Sequence, residues 1–128
     1  MQFNGFHHAG LMVKDVQKSL DFYTRGLGGK MVHSFPMSGT DKTIYLVDLG
    51  GNAVVELIPR GNGEEETNAH WAHAAIRTDD ARAAYDRALK AGAKSRNEPN
   101  DAELGTMSVC TAFVYGPDGE VIEFFQVF

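Results

Sequence analysis

Apolar residues recur along the chain with two periods, and the switches between them mark out its elements. Residues 6 to 13, FHHAGLMV, form a short apolar run of strand length. Asp15 then stands where an N-cap belongs, before Val16, Leu20, Tyr23 and Leu27, whose spacing of four, three and four draws one stripe along a helix. Gly28 and Gly29 end that helix. Three β-like stretches follow at 30–35, 43–49 and 52–58, the last two joined by the turn Gly50-Gly51-Asn52. The segment 60–68, RGNGEEETN, has no large apolar residue and three successive Glu, so it reads as a solvated connection.

The same order of events then restarts. HWAHAAIR, 70–77, is strand-like, and Asp79 or Asp80 caps a helix with Ala81, Ala84, Ala88 and Leu89 on one stripe, ended by Gly92. A weaker strand near 93–97 precedes strands at 107–115 and 120–127, joined by the turn Gly116-Pro117-Asp118-Gly119. His8 maps to His73 and Asp15 to Asp80 at an offset of 65, and Glu56 maps to Glu123 at 67. The pattern predicts an α+β fold: a single domain, 1–128, of two tandem βαβββ modules with pseudo-twofold symmetry forming a cleft. Module one is 1–60, the connection 60–69 and module two 70–128.

Composition narrows the partners. The chain has 128 residues, 43% of them hydrophobic, and 12 Lys plus Arg against 17 Asp plus Glu give a net charge of −5. No basic block offers a footprint for a phosphate backbone, so nucleic acid is not expected. No apolar run nears the roughly 18 residues of a membrane span, and no basic leader precedes one, so no membrane partner is expected either. The lone Cys110 forms no intrachain disulfide, which fits a reducing, cytoplasmic setting. A small-molecule partner remains.

Glu56 and Glu123 sit inside apolar β-like stretches, where an ionised carboxylate is costly to bury without compensation. His8 and His73 stand early in their modules among small or apolar residues. Singly, each reads as a solvent-facing Glu or a hydrogen-bonded structural His; their recurrence at corresponding positions weighs against that. Two imidazoles and two carboxylates suit one borderline divalent ion, nickel, cobalt, zinc, iron or manganese, better than a thiolate or all-oxygen calcium site does. Four such ligands on an ion that accepts six leave two positions for water or substrate. Strand alternation also puts Arg77 on the face of His73, as a candidate anion clamp. His7 alternates away from His8, and His33 and His70 lack counterparts in the repeat, so these three read as structural or exposed. Met37, Tyr45, Met107 and Phe113 are core or apolar lining, and Asp118 serves the turn.

The strings HHAGLMVKDVQKSLDFYTRGLGGKMV (7–32) and FVYGPDGEVIEFFQ (113–126), and within them FYTRGLGG and GPDGEVIEF, carry a resemblance over essentially the whole chain. The sequence resembles the vicinal oxygen chelate superfamily, which includes glyoxalase I, methylmalonyl-CoA epimerase, extradiol dioxygenases, and fosfomycin- and bleomycin-resistance proteins. The His, Glu, His, Glu site of glyoxalase I implies metal ligands at His8, Glu56, His73 and Glu123. It implies a lactoylglutathione lyase type of reaction, in which a hemithioacetal becomes a thioester through a metal-bound enediolate. Glu123 is then the base that removes the carbon-bound proton and Glu56 its counterpart on the opposite face of the substrate. A homodimer is implied as well. Where the family's glutathione-using enzymes place an Arg and an Asn, this chain has Met12 and Arg60, which leaves the thiol open; Met12, Arg60 and Arg77 are the candidate substrate-binding residues. The alternatives are another metal enzyme of the superfamily, an acyl-CoA epimerase or dioxygenase, or a metal-free protein that binds a small toxic compound.

Overall fold

The computed structural model describes residues 1–60, 70–116, 119 and 121–128; the expectations for residues 61–69, for the side chain of His70 and for Asp118 lie outside the described residues. The elements are β1 (Phe3–Val13), α1 (Val16–Asp21), β2 (Lys30–Pro36), β3 (Thr43–Asp48), β4 (Val54–Pro59), β5 (His70–Thr78), α2 (Ala81–Lys90), β6 (Lys94–Leu104), β7 (Met107–Tyr115) and β8 (Val121–Val127). The fold is α+β, mostly strand with two helices. The chain forms two compact units, His8–Ala72 and Met1–His7 with His73–Phe128.

In the unit His8–Ala72 the strand order is β2-β3-β4-β1, with β1 parallel to β4 and the other pairs antiparallel. Leu11, Val13, Val47, Val55 and Leu57 form one buried face, on which Val16, Leu20 and Tyr23 pack. Asp15 is the N-cap, its carboxylate accepting from the Lys18 backbone N–H at 3.1 Å. The fourth member of the predicted stripe does not join it. The helix widens at Phe22–Gly26 into a π-helical turn, where the Leu27 N–H donates to the Phe22 carbonyl at 2.8 Å. The extra residue in that turn rotates Leu27 outward, leaving it 57% exposed.

Gly29 is needed for a close approach. A Cβ there would lie 2.5 Å from the Tyr23 carbonyl oxygen and 2.8 Å from Val47 Cγ1. Gly29→Ala is therefore expected to cost about 1–3 kcal/mol, read as a lower urea midpoint with an unchanged slope. In the β3–β4 turn Gly50, Gly51 and Asn52 all take positive φ, as the sequence predicts.

In the other unit the order is β5-β8-β7-β6, with β5 parallel to β8 and the other pairs antiparallel. Asp80, rather than Asp79, caps α2, accepting from the Ala83 N–H at 2.9 Å. Asp79 instead anchors the start of the chain: its carboxylate accepts from the Gln2 N–H at 2.7 Å, and Phe3 stacks on Phe124. Ala81 and Ala84 pack against Ala112, Val114 and Phe124, but Leu89 is largely exposed. Tyr85, outside the predicted stripe, is buried with them and its hydroxyl donates to Ser95 Oγ at 2.6 Å. β6 runs far past 93–97; as the outer strand of its unit it is wetted along most of its length and tolerates Pro99, its apolar packing confined to Ala102 and Leu104 at the end. Among the described residues no helix is long and apolar enough to cross a membrane.

One ion pair gives this unit a pH dependence. Arg82 Nη1 donates to Asp101 Oδ1 at 2.9 Å and to Cys110 Sγ at 3.1 Å. The guanidinium holds the Asp101 carboxyl below its ordinary value, whereas burial pushes the Cys110 thiol up. A lowered carboxyl pKa contributes stability above the ordinary aspartate range and loses it as pH falls through the depressed value. Asp101→Asn is expected to lower the melting temperature slightly at neutral pH, as suits a solvent-exposed pair, and the difference should close in acid. Paired thermal melts across pH check this.

Candidate metal centre

In the unit His8–Ala72, the parallel register of β1 and β4 sets Gly10 opposite Glu56. Alternation then puts His8, Gly10 and Met12 with Glu56 and Ile58 on the face turned away from α1, since Leu11, Val13, Val55 and Leu57 take the helix side. His8 and Glu56 are both buried, with Nε2 and Oε2 3.7 Å apart.

The second unit repeats this. β5 and β8 set Ala75 opposite Glu123, so His73, Ala75 and Arg77 share a face with Glu123 and Phe125. His73 Nε2 lies 3.1 Å from Glu123 Oε2, with the His73 side chain 10% exposed and the Glu123 side chain 5%. In each unit the histidine stands two residues before the residue paired with the glutamate.

Each pair thus presents one imidazole nitrogen beside one carboxylate oxygen, away from bulk water. A buried carboxylate needs a positive partner, and a divalent ion with a preference for nitrogen and oxygen supplies it, so the donor types fit such an ion. His73 meets the ring of Phe113 edge-on, centroids 5.8 Å apart, and Phe113 lies directly across from Glu123 on β7. The Arg96 guanidinium carbon is 5.3 Å from the centre of that ring.

Met12 lies opposite Ile58 on the His8 face, half-buried. Arg60 is buried just past β4; its N–H donates to the Val13 carbonyl at 3.1 Å and its carbonyl accepts from Lys42 Nζ at 2.9 Å. Arg77 lies opposite Phe125 and is half-buried. His7 is buried with its ring 4.2 Å from that of Phe125, a packing role. Tyr45 turns to the helix side, where Gln17 Nε2 donates to its hydroxyl, and Met107 packs beside Ala75, Val109 and Phe125.

Two residues on these faces escape a reading by alternation. A bulge between Met31 and His33 sets His33 opposite Leu46, and so on the face of Glu56. A matching bulge between Ser95 and Asn97 inserts Arg96. The bulges lie in corresponding outer strands, and neither has a local sequence mark.

A βαβββ unit with a parallel outer pair and a His–Glu couple on the face away from its helix, built twice in one chain, defines a paired-module α+β protein with a divalent-cation donor set. The chain belongs to the Glyoxalase/Bleomycin resistance protein/Dioxygenase superfamily, whose sequence model matches residues 5–124. It is 36% identical over 125 residues to the uncharacterized protein YwbC of Bacillus subtilis, covering 93% of this chain and 94% of that one. It is 32% identical over 123 residues to a probable lactoylglutathione lyase of Vibrio parahaemolyticus, covering 93% and 88%. Among solved structures, methylmalonyl-CoA epimerase from Mycobacterium tuberculosis shares the fold at a TM-score of 0.79 and 21% identity, over 97% of this chain and 88% of that one.

Proposed function

We propose that the protein is a divalent-metal-dependent, glyoxalase I-like lyase that isomerises a hemithioacetal-type hydroxy-carbonyl substrate to a thioester. The observation that carries the reading is the twice-built buried His–Glu couple in one and the same strand register. Relatives named as lactoylglutathione lyases over nearly the full chain support it. In this reading His8, Glu56, His73 and Glu123 hold one ion, of nickel, cobalt, zinc, iron or manganese. When bound, the ion would supply Lewis acidity to the substrate's oxygens.

The protein's own groups then move the proton. Glu123 accepts it from the carbon that bears the sulfur and the hydroxyl, and the C–H electron pair passes toward the adjacent carbonyl. Delivery of a proton to the former carbonyl carbon, with Glu56 acting from the opposite face of the substrate, and passage of the hydroxyl proton to the neighbouring oxygen complete the exchange. The sulfur-bearing carbon becomes the thioester carbonyl and its neighbour the carbinol, with no atom gained or lost. Met12, Arg60 and Arg77 are the substrate-binding residues in this scheme. The working form is a cytoplasmic homodimer.

The test is elemental analysis of the purified protein combined with a methylglyoxal hemithioacetal assay using several thiols, after loading with each of the five ions. Thioester formation with about one ion per site is expected. No thioester with any thiol and any ion overturns the reading, and stoichiometric binding of a small compound without metal or turnover replaces it with a sequestering role.

A further inference from the structure

We propose that Arg96, seated on Phe113, selects the substrate of this site, and that the carrier of the hydroxy-carbonyl unit bears an oxyanion, a carboxylate or a phosphate; the inference rests on the lyase reading above. In β6, Ser95 pairs with Val114 and Asn97 with Phe113, so Arg96 is an extra residue with no position of its own in the ladder. Ser95 turns toward α2, where its Oγ accepts from the Tyr85 hydroxyl. The bulge frees the next side chain from that alternation and re-aims it. The guanidinium comes to lie over the Phe113 ring, which flanks Glu123 across the β7–β8 ladder and touches His73 with its other contact. One aromatic ring therefore separates the cation from the imidazole.

The chemistry of the seat favours an oxyanion. Arg96 Nη1 donates to the Asn97 amide oxygen at 3.3 Å, a neutral acceptor that brings no charge of its own. Among the described residues no carboxylate pairs with it. The planar fork of donors matches a carboxylate or a phosphate in two bonds, and a guanidinium already held over a ring loses less freedom when that partner arrives. Met12 brings no charge to the His8 face, so a cation here places anion recognition in the unit that carries His73 and Glu123.

The test compares methylglyoxal hemithioacetals of glutathione, which carries carboxylates, coenzyme A, which carries phosphates, and mercaptoethanol, which carries neither. For the wild type and Arg96→Gln, the ratio of kcat/KM for each charged substrate to that for the uncharged one is measured. The ratio is expected to fall about tenfold in the variant, through KM with kcat held within about twofold, and Arg96→Lys should restore part of it. The thiol whose ratio falls identifies the oxyanion. Arg96 is exposed, so unchanged melting confirms that the variant folds. An unchanged ratio, or a loss in kcat alone, overturns the inference while the lyase reading stands. If the wild type turns over none of the three, the lyase reading falls, and calorimetry with S-hexylglutathione and coenzyme A still decides the role of Arg96: equal affinity in both proteins, or none, overturns it.

Discussion

Glu123→Gln is expected to lower thioester formation by a factor of about a hundred to ten thousand, the usual range for loss of a positioned general base. Glutamine keeps the size and planarity of the side chain, so Ala75 and Phe113, its cross-strand neighbours on β5 and β7, keep a partner of the same shape. What it loses is the capacity to take a proton and the negative charge beside His73 Nε2. These two losses are separable by measuring ion content alongside rate. A variant that keeps its ion and loses turnover marks Glu123 as the base; one that loses both reports a ligand. Full activity in Glu123→Gln ends the assignment, and the parallel measurement on Glu56→Gln shows whether the two carboxylates divide the work.

Removal of the ion is the second large effect. Glu56 and Glu123 are carboxylates sheltered from water, and in the proposed centre a bound ion would offset charge that the neighbouring imidazoles answer only when protonated. An ion bound only by the folded chain, present at about a thousand times its dissociation constant, adds about 4 kcal/mol. For a chain of this size that corresponds to roughly ten to twenty degrees in melting temperature. Chelator-treated protein should therefore melt that much lower and lose turnover, and adding back one divalent ion should restore both. Identical melting and activity with and without chelator would remove the ion from the account.

The repeat is what makes the candidate site legible from residues alone. A lone Glu in Val54-Val55-Glu56-Leu57 is ordinary, but a second in Val121-Ile122-Glu123-Phe124 at nearly the same offset as the two histidines is a pattern. Alternation correctly sets Arg77 on the face of His73, because the side-chain period of two is a property of each strand by itself. Helix caps and turns followed for the same local reason, at Asp15, Asp80 and Gly50-Gly51-Asn52.

Where the reading from residues stopped, a non-local cause is at hand. Leu27 left its stripe because the helix widens into a π turn where it closes on Gly29, whose room is set by Val47 and Leu49 far along the chain. β6 extends beyond what its pattern predicts because an outer strand wetted along most of its length shows little apolar period. His33 reads as structural or exposed for want of a counterpart in the repeat, and Arg96 draws no reading at all; the face each takes is set by a bulge, a mismatch between two strands that leaves no trace in either. By itself, then, the sequence determined the two βαβββ modules, their caps and the residue types of the donor set. Tertiary structure alone decided that Gly10 faces Glu56 and Ala75 faces Glu123, and that Arg96 sits on Phe113. Those are matters of register between segments tens of residues apart, which only the pairing of strands and the packing of their faces can fix.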